Sequence, residues 1–186
     1  MPKETTKEGL IIVGKLVLLA AVAAAVLAII YVPTQTQIEL NREEARIAAL
    51  EDVVPEATDF EPVEEEVNDE TKVLYYRALD ADGNLIGYAF FGEQRGYEGI
   101  VEVAAGIDPD LNNLIKVKII SHSETPGLGD RIEDDSFLQQ FEELDVDDLA
   151  LTRDTGKVDS ITGATVSSRA VVDAIDSKLN EMKETI

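Results

Sequence analysis

Residues 73–91 have the sequence VLYYRALDADGNLIGYAFF, and this stretch decides the fold class. Two runs rich in β-branched, aromatic and other apolar residues, Val73–Leu79 and Leu85–Phe91, flank the polar segment Asp80–Asn84. Asp, Gly and Asn between two such runs favour the tight turn of a β-hairpin. We therefore predict two antiparallel strands joined by this turn.

Two more strands are predicted directly downstream of the hairpin. The runs Ile100–Ile107 and Leu114–Ile120 are apolar, and Asp108–Asn113 between them is rich in turn-forming residues. Within the second run, apolar residues alternate with Lys116 and Lys118, which is the period-two pattern of a half-buried strand.

Helices follow the strands. Ser136–Leu144 places Phe137, Phe141 and Leu144 on one helical face, and the last segment, Val166–Glu184, has an apolar stripe. The members of that stripe are Val171, Ile175, Leu179 and Met182. Consecutive hairpins followed by helices predict an α+β fold with an antiparallel sheet and flanking helices.

The N-terminal part differs in composition from everything after it. Leu10–Val32 spans 23 residues with Lys15 as its one charge, and about 20 apolar residues suffice to cross a bilayer. A cleaved signal peptide is the alternative, but its apolar core is usually about 7–15 residues. We predict an uncleaved single span over residues 10–32, ended by Pro33.

The segment between the span and the predicted sheet is acidic. We expect a short juxtamembrane helix over Gln37–Leu50 and a poorly ordered acidic connector over Glu51–Glu70, so that the compact domain begins near Thr71 and continues to Ile186. Residues 33–70 would then join the span to this domain, and residues 1–9 would precede the span.

The basic residues near the span predict its orientation. Lys3, Lys7 and Lys15 precede or begin it, whereas Arg42 and Arg46 are the nearest basic residues beyond it. The positive-inside rule therefore places the N-terminus in the cytoplasm and the C-terminal domain on the extracytoplasmic, periplasmic side of the cytoplasmic membrane.

Overall composition excludes several classes of function. The 186 residues contain 16 Lys and Arg against 38 Asp and Glu, for a net charge of −22, which argues against a nucleic-acid partner. Without Cys and with a single His, the chain has no thiolate or multi-histidine metal site, so redox chemistry would need an organic cofactor. The acidity fits either a solvated or salt-adapted surface or a patch for a basic redox partner.

The first chemically suggestive motif, DSITGATVSS at residues 159–168, leads directly into the final helix. The first N–H groups of a helix have no internal partner and, with the helix dipole, favour an anion such as phosphate. The alternative is an ordinary capped helix with Thr165, Ser167 or Ser168 as the N-cap.

The second motif, HSETPGLG at residues 122–129, follows the last predicted strand. It is either a simple turn around Pro126 and Gly127 or a loop that lines a planar ring. His122 and Glu124 are acid–base groups, but nothing near them in the sequence completes a catalytic triad, so we predict neither hydrolysis nor any catalytic residue.

Together the two motifs, in this order behind one apolar span, resemble the FMN-binding domain of the RnfG/NqrC family, which is found in the Rnf and Nqr complexes. Gly96–Gly99, ahead of a predicted strand, is also similar to that family. The resemblance implies an electron-transfer protein that carries FMN inside an ion-translocating, multisubunit ferredoxin:NAD oxidoreductase and has no substrate chemistry alone. The compact length is more similar to the Rnf member of the family.

The resemblance also implies which residues hold the cofactor. FMN would be esterified through its phosphate to Thr165, and a separate magnesium-dependent flavin transferase would use Asp159 when it transfers FMN from FAD. The other positions implied to form the site are Thr162, Gly163 and Ala164 in the first motif, and Glu124, Thr125, Gly127 and Leu128 against the isoalloxazine. Where the family often has Trp, this chain has Phe137.

Two other functions remain open from the sequence. The same flavin domain could serve an Nqr complex as NqrC or belong to another membrane reductase. A non-redox, membrane-anchored interaction domain, in which Thr162–Thr165 is only a helix cap, is the other alternative.

Overall fold

The computed structural model describes residues 2–67 and 70–186, and the chain divides into two compact units between Glu44 and Ala45. Helix α1, Pro2–Val53, forms the first unit and continues into the second. Within it, Ile11–Ile29 is 19 residues long and apolar enough to cross a membrane. Its large apolar side chains, such as Leu18 and Leu19, are exposed, as expected for a helix that faces lipid.

The prediction that the helix ends at Pro33 is wrong. Helix α1 continues through this position as one element of 52 residues, so Gln37–Leu50 is part of it rather than a separate helix. Proline removes one backbone N–H and crowds the preceding turn, and both effects are confined to one turn. The helical turns on each side keep α1 continuous.

The second unit contains a five-stranded sheet in which every strand pairs antiparallel with its neighbours in the sequence, in the order β1-β2-β3-β4-β5. The strands are β1, Asp59–Val67; β2, Glu70–Leu79; β3, Leu85–Arg95; β4, Ile100–Ile107; and β5, Leu114–Ser121. The four predicted strands are thus present, and the predicted α+β class is confirmed.

Strand β1 was not predicted, because it lies in the expected acidic connector, residues 51–70. The described part of that segment is ordered, while residues 68 and 69 lie outside the described residues. Strand β1 pairs with β2 along its length, and Glu64–Glu66 are exposed on it. Hydrogen bonding between strand backbones requires no apolar side chains. Charged residues and proline, such as Pro62, are typical of an edge strand, because they disfavour pairing with another chain. The compact unit consequently begins at Ala45 rather than near Thr71.

Helix α3, Thr165–Lys183, covers one face of the sheet. Its predicted stripe, exemplified by Val171 and Ile175, is buried against Phe90 and Val103 of the sheet. The predicted final helix is therefore confirmed to within one residue at each end.

Short helical segments connect β5 to α3. A 3₁₀ turn at Gly129–Glu133 precedes α2, Asp135–Leu138, and a second 3₁₀ turn, Gln139–Phe141. The predicted helix Ser136–Leu144 is thus shorter and tighter than expected. Its aromatic anchors are nevertheless buried, and the rings of Phe137 and Phe141 pack edge to face with centroids 5.4 Å apart.

The last turns of α1, within the second unit, pack on the opposite face of the sheet. Leu50 and Val53 lie against small residues of the strands, such as Ala89 and Ala104. At the same face, Arg46 Nε donates to the buried Glu102 carboxylate at 2.6 Å. Removing the Arg46 side chain is expected to be destabilising, because the buried Glu102 carboxylate would lose its positively charged partner.

Candidate functional site

A cavity of about 590 Å³ lies where the two sequence motifs meet. Small-molecule and cofactor sites usually measure about 300–1,000 Å³. It is formed by the start of α3, the loop after β5 and the turn between β3 and β4. The lining residues are Tyr97, Glu98, Thr125, Leu128, Gly129, Gly163, Ala164, Thr165, Val166 and Ser167.

The start of α3 has no side-chain cap. The helix begins at Thr165, Ala164 occupies the N-cap position, and no side chain caps the first turn. The alternative that Thr165, Ser167 or Ser168 is the N-cap is therefore wrong. The uncapped backbone N–H groups and the positive end of the helix dipole leave this end of the cavity suited to a phosphate.

The buried Ser168 hydroxyl instead fixes the turn before the helix. It accepts a hydrogen bond from the Ile161 N–H and donates one to the Ala164 carbonyl, both at 3.0 Å. The Ala164 N–H donates to the Ile161 carbonyl at 2.9 Å, which closes a four-residue turn. Gly163 takes φ +86° at its third position, the conformation that a type II turn requires.

Gly163 also allows the two motifs to approach each other. A Cβ atom at this position would lie 2.9 Å from Leu128 Cδ1. A larger residue would therefore be strained at the positive φ of Gly163 and would displace the end of the Leu128 side chain.

Thr165 is half-buried and lines the cavity at the first position of α3. Within the part of the chain that the structure describes, no hydrogen-bond partner is found for its hydroxyl. The hydroxyl is thus available to a reagent that reaches the cavity, and no neighbouring base in the described residues activates it.

Glu124 is buried, with 4% of its surface exposed, and its carboxylate lies behind the cavity rather than lining it. One oxygen accepts from the N–H groups of Glu98 at 3.1 Å and Gly99 at 3.4 Å. The other accepts from the Tyr97 N–H at 3.1 Å and from the Ser167 hydroxyl. Glu124 therefore ties three segments of the cavity together, a role that the resemblance did not indicate.

Burial of Glu124 by itself raises the pKa of its carboxyl group. Hydrogen bonds from Ser167 and from the backbone N–H groups of Glu98, Tyr97 and Gly99 outweigh burial, so the pKa is lowered overall. The site is thus built around a buried carboxylate that is ionised at neutral pH. Gly96 and Gly129 leave space for it, because a Cβ atom at Gly96 would lie 2.5 Å from Glu124 Oε1.

The loop after β5 is a compact turn. The Thr125 carbonyl accepts from the N–H groups of Leu128 at 3.2 Å and Gly129 at 2.9 Å, and Gly127 has φ +75°. The Thr125 hydroxyl donates to Glu98 at 2.8 Å. This folding leaves the Leu128 side chain 41% exposed at the cavity, where it offers an apolar contact.

His122 supports the same loop from outside the cavity. Its Nδ1 accepts from the Glu124 N–H at 3.1 Å, and its Nε2 lies 3.0 Å from Glu133. This hydrogen-bond pattern assigns the proton to Nε2. The arrangement holds the loop and forms no catalytic triad with the described residues.

The implied site residues are not all at the cavity. Thr125, Leu128, Gly163, Ala164 and Thr165 line it, whereas Asp159 and Thr162 are exposed beside it, and Gly127 lies in the adjoining turn. Five lining residues were not among the predicted site residues: Tyr97, Glu98, Gly129, Val166 and Ser167. The sequence signal available for them was closeness to the motifs. Tyr97 and Glu98 lie in the similar segment 96–99, Gly129 ends the second motif, and Val166 and Ser167 directly follow Thr165.

Comparison with known proteins agrees with this geometry. The model of the FMN-binding domain family matches residues 96–180. The G subunit of the ion-translocating oxidoreductase complex of Methanosarcina acetivorans is 43% identical over 181 residues, which cover 96% of this chain and 94% of that protein. The G subunit of the proton-translocating ferredoxin:NAD(+) oxidoreductase complex of Clostridium ljungdahlii is 30% identical, over 81% and 76% of the two chains.

A solved structure shares the fold. The C subunit of the Na(+)-translocating NADH-quinone reductase of Parabacteroides distasonis superimposes with a TM-score of 0.51 at 21% identity, covering 59% of this chain and 60% of that one. At that identity the likeness concerns the fold alone, whereas the RnfG relatives align along most of their length. The resemblance inferred from the two motifs is thereby confirmed, and the chain belongs to the RnfG family of ion-translocating oxidoreductase complexes.

Proposed function

We propose that this chain is the electron-transfer protein RnfG of an Rnf-type, ion-translocating ferredoxin:NAD oxidoreductase and has one FMN. The observation that carries the proposal is the cavity that joins the uncapped start of α3 and Thr165 to the Leu128 loop. Its partners would be the other membrane subunits of the complex. The names of the relatives support an Rnf complex rather than an Nqr complex, because the likeness to the Nqr subunit concerns the fold alone.

The residues of the cavity fit FMN at both ends. Backbone N–H groups at the start of α3 suit the phosphate, and Leu128, Val166 and Tyr97 offer apolar surface for the ring system. A bound flavin would supply one- and two-electron chemistry. The chain's own residues bind and orient it, and we expect them to catalyse no separate substrate reaction.

Covalent attachment at Thr165 completes the proposal. A threonine hydroxyl is a weak nucleophile, and the described residues place no base beside this one, so a separate flavin transferase would act on it. The bond between Thr165 Oγ1 and phosphorus would form while the pyrophosphate bond of FAD breaks. AMP would leave, and the hydroxyl proton would pass to a base of the transferase or to water.

Intact-mass measurement and an absorbance spectrum of the membrane-purified protein test this proposal. Expression with a flavin transferase should add one FMN mass and a flavin spectrum, and expression without it should give neither. A colourless protein of unmodified mass in both cases would favour the non-redox interaction domain.

The orientation of the domain is a further part of the proposal. The Lys3, Lys7 and Lys15 cluster supports a cytoplasmic N-terminus and an extracytoplasmic domain. Protease added to intact spheroplasts should then remove the domain. Protection in spheroplasts together with cleavage in inverted vesicles would reverse the orientation.

A further inference from the structure

Gln140 lies outside the first motif but bonds to it at Asp159. We define residues 159–165, from Asp159 to Thr165, as the acceptor loop. The Gln140 side-chain amide makes two hydrogen bonds to the backbone of Asp159. Its Oε1 accepts from the Asp159 N–H at 2.7 Å, and its Nε2 donates to the Asp159 carbonyl at 3.3 Å. This pairing satisfies both backbone groups of Asp159 as a neighbouring strand would.

The segment that carries Gln140 is anchored on both sides. Phe137 and Phe141 are 2% and 0% exposed, and their rings pack against each other. Gln140 Nε2 also lies 3.4 Å from the Phe137 carbonyl. The amide is therefore presented to Asp159 from a backbone that the core fixes.

The acceptor loop is held at its other points as well. Val158, just before it, is fully buried, and Ile161 is 9% exposed. The Ser168 hydroxyl fixes the turn that follows, as described above. Asp159, the first residue of the acceptor loop, is exposed. Its backbone groups are bonded to Gln140, but its carboxylate has no hydrogen-bond or ion-pair partner among the described residues.

We infer that Gln140 is a positioning residue for FMN transfer to Thr165, acting through Asp159, and that the transferase recognises the acceptor loop in its folded conformation. The inference rests on the proposed function. Gln140 holds the Asp159 backbone, so the point from which the free carboxylate extends keeps one position relative to Thr165, while Gln140 is not itself among the cavity-lining residues. A loop with its first residue released would have to be ordered again each time the transferase binds.

The test compares two neighbouring glutamines in the full-length chain, purified in detergent without flavin. Gln140→Ala removes the amide that holds Asp159, whereas Gln139→Ala removes an exposed side chain for which no partner is found among the described residues. Purified flavin transferase, FAD and Mg²⁺ are added, and FMN incorporation is followed by intact mass. We expect kcat/KM for the acceptor chain to fall at least about fivefold in Gln140→Ala, from two lost hydrogen bonds, and to stay unchanged in Gln139→Ala.

A double-mutant cycle with Asp159→Ala separates positioning from general loosening of the fold. If Gln140 acts through Asp159, adding Gln140→Ala to Asp159→Ala should produce little further loss. Full additivity of the two losses would overturn the inference, as would an unchanged kcat/KM in Gln140→Ala.

If Gln140→Ala does not fold, Gln140→Glu replaces it in the same assay. Glutamate keeps an acceptor for the Asp159 N–H but places a carboxylate oxygen against the carbonyls of Asp159 and Phe137, so we expect a loss that again disappears in the Asp159→Ala background. A loss that persists there would count against the inference. Failure of the unmodified chain to incorporate FMN would instead contradict the proposed function, and the two failures are thereby distinguished.

Discussion

The two sides of the cavity are held in different ways. The first, which we call the carboxylate-held wall, comprises residues 96–99 and 122–129, and the buried Glu124 carboxylate joins its two parts through three backbone N–H donors. Glu124 also accepts from the Ser167 hydroxyl of α3. The second is the acceptor loop, which a neutral amide and a hydroxyl hold from outside. In the carboxylate-held wall the charged side chain of Glu124 is buried, whereas in the acceptor loop Asp159 and Thr162 are exposed.

The difference matches the roles that the proposed function gives to the two sides. A buried charge with satisfied hydrogen bonds fixes a single geometry, because any displacement would leave the charge or its donors unpaired. That rigidity suits a wall against which a ring system rests. Neutral hydrogen bonds that leave the loop surface open suit a segment that a second enzyme must reach.

The largest expected effect concerns the acceptor loop at Thr165. Thr165→Ala should abolish covalent flavin while leaving the fold intact, because the hydroxyl has no structural partner among the described residues. Peptide mass mapping should place the FMN increment on residue 165 in the unmodified protein. Thr165→Ser keeps a hydroxyl and should retain part of the loading. An increment on Thr162 or Ser167 would refute the assignment.

Asp159 should give the next largest effect. Asp159→Ala removes the uncommitted carboxylate but not the backbone groups that Gln140 holds, so we expect flavin loading to slow by about tenfold, equivalent to about 1.4 kcal/mol, with little change in stability. Time courses of FMN incorporation measure it. Glu142→Gln, at an exposed acid near Gln140, is the matched control. Normal loading of Asp159→Ala would remove Asp159 from the acceptor role.

Breaking the carboxylate-held wall should instead change stability. Glu124→Gln exchanges one accepting oxygen for a donor that faces N–H groups, and we expect a loss of about 1–3 kcal/mol. Glu142→Gln, at an exposed carboxylate with no partner among the described residues, is the control and should change stability by less than about 0.5 kcal/mol. Thermal unfolding of the flavin-free proteins in detergent provides the comparison. Equal stability of the two variants would show that Glu124 does not hold this wall.

The same wall predicts a dependence on pH. The pKa of Glu124 is lowered in the folded state from its usual 4.5, so the folded state favours the ionised form. Its stabilising contribution is therefore complete above about pH 4.5 and is lost as the pH falls through the lowered folded-state pKa. The stability difference between the unmodified protein and Glu124→Gln should shrink on acidification from pH 7 to about pH 3. A difference that grows on acidification would contradict the role of the ionised carboxylate.

The smallest expected effect concerns the cavity surface of the carboxylate-held wall. Leu128→Ala or Thr125→Ala should keep covalent FMN and shift its midpoint potential by tens of millivolts, because 1.4 kcal/mol corresponds to about 30 mV for a two-electron couple. Spectroelectrochemical titration of the flavinylated proteins measures the shift. Ser123→Ala, outside the cavity lining, is the control. An unchanged potential in both variants would mean that this loop is only a turn.

Local sequence patterns were sufficient for most of the fold. Alternation in Leu114–Ile120, the turn Asp80–Asn84 and the apolar stripe of the last helix each encode an element through interactions within a few residues, and all three elements are present. The pattern was insufficient for β1, whose acidic side chains face solvent and whose order comes from pairing with β2. The sequence pattern was also misleading at Pro33. Proline removes one backbone N–H donor, yet the helix of 52 residues continues through this position.

For the site, the sequence by itself limited the possible chemistry. The absence of Cys and the single His mean that redox chemistry would need an organic cofactor, while the segment before Thr165 and the Pro-Gly loop at 122–129 each fitted either a cofactor site or an ordinary cap or turn. Such information is local, because each feature depends on residue type and on spacing along one segment.

Only the tertiary structure decided which groups hold that chemistry in place. Glu124 belongs to no recognisable pattern of distant partners in the sequence, yet it joins Tyr97, 27 positions before it, to Ser167, 43 positions after it. Gln140 reaches Asp159 across 19 positions. These roles require the Glu124 carboxylate and the Gln140 amide to reach backbone groups of other segments. Those groups come close to each other only after the sheet and α3 have packed together.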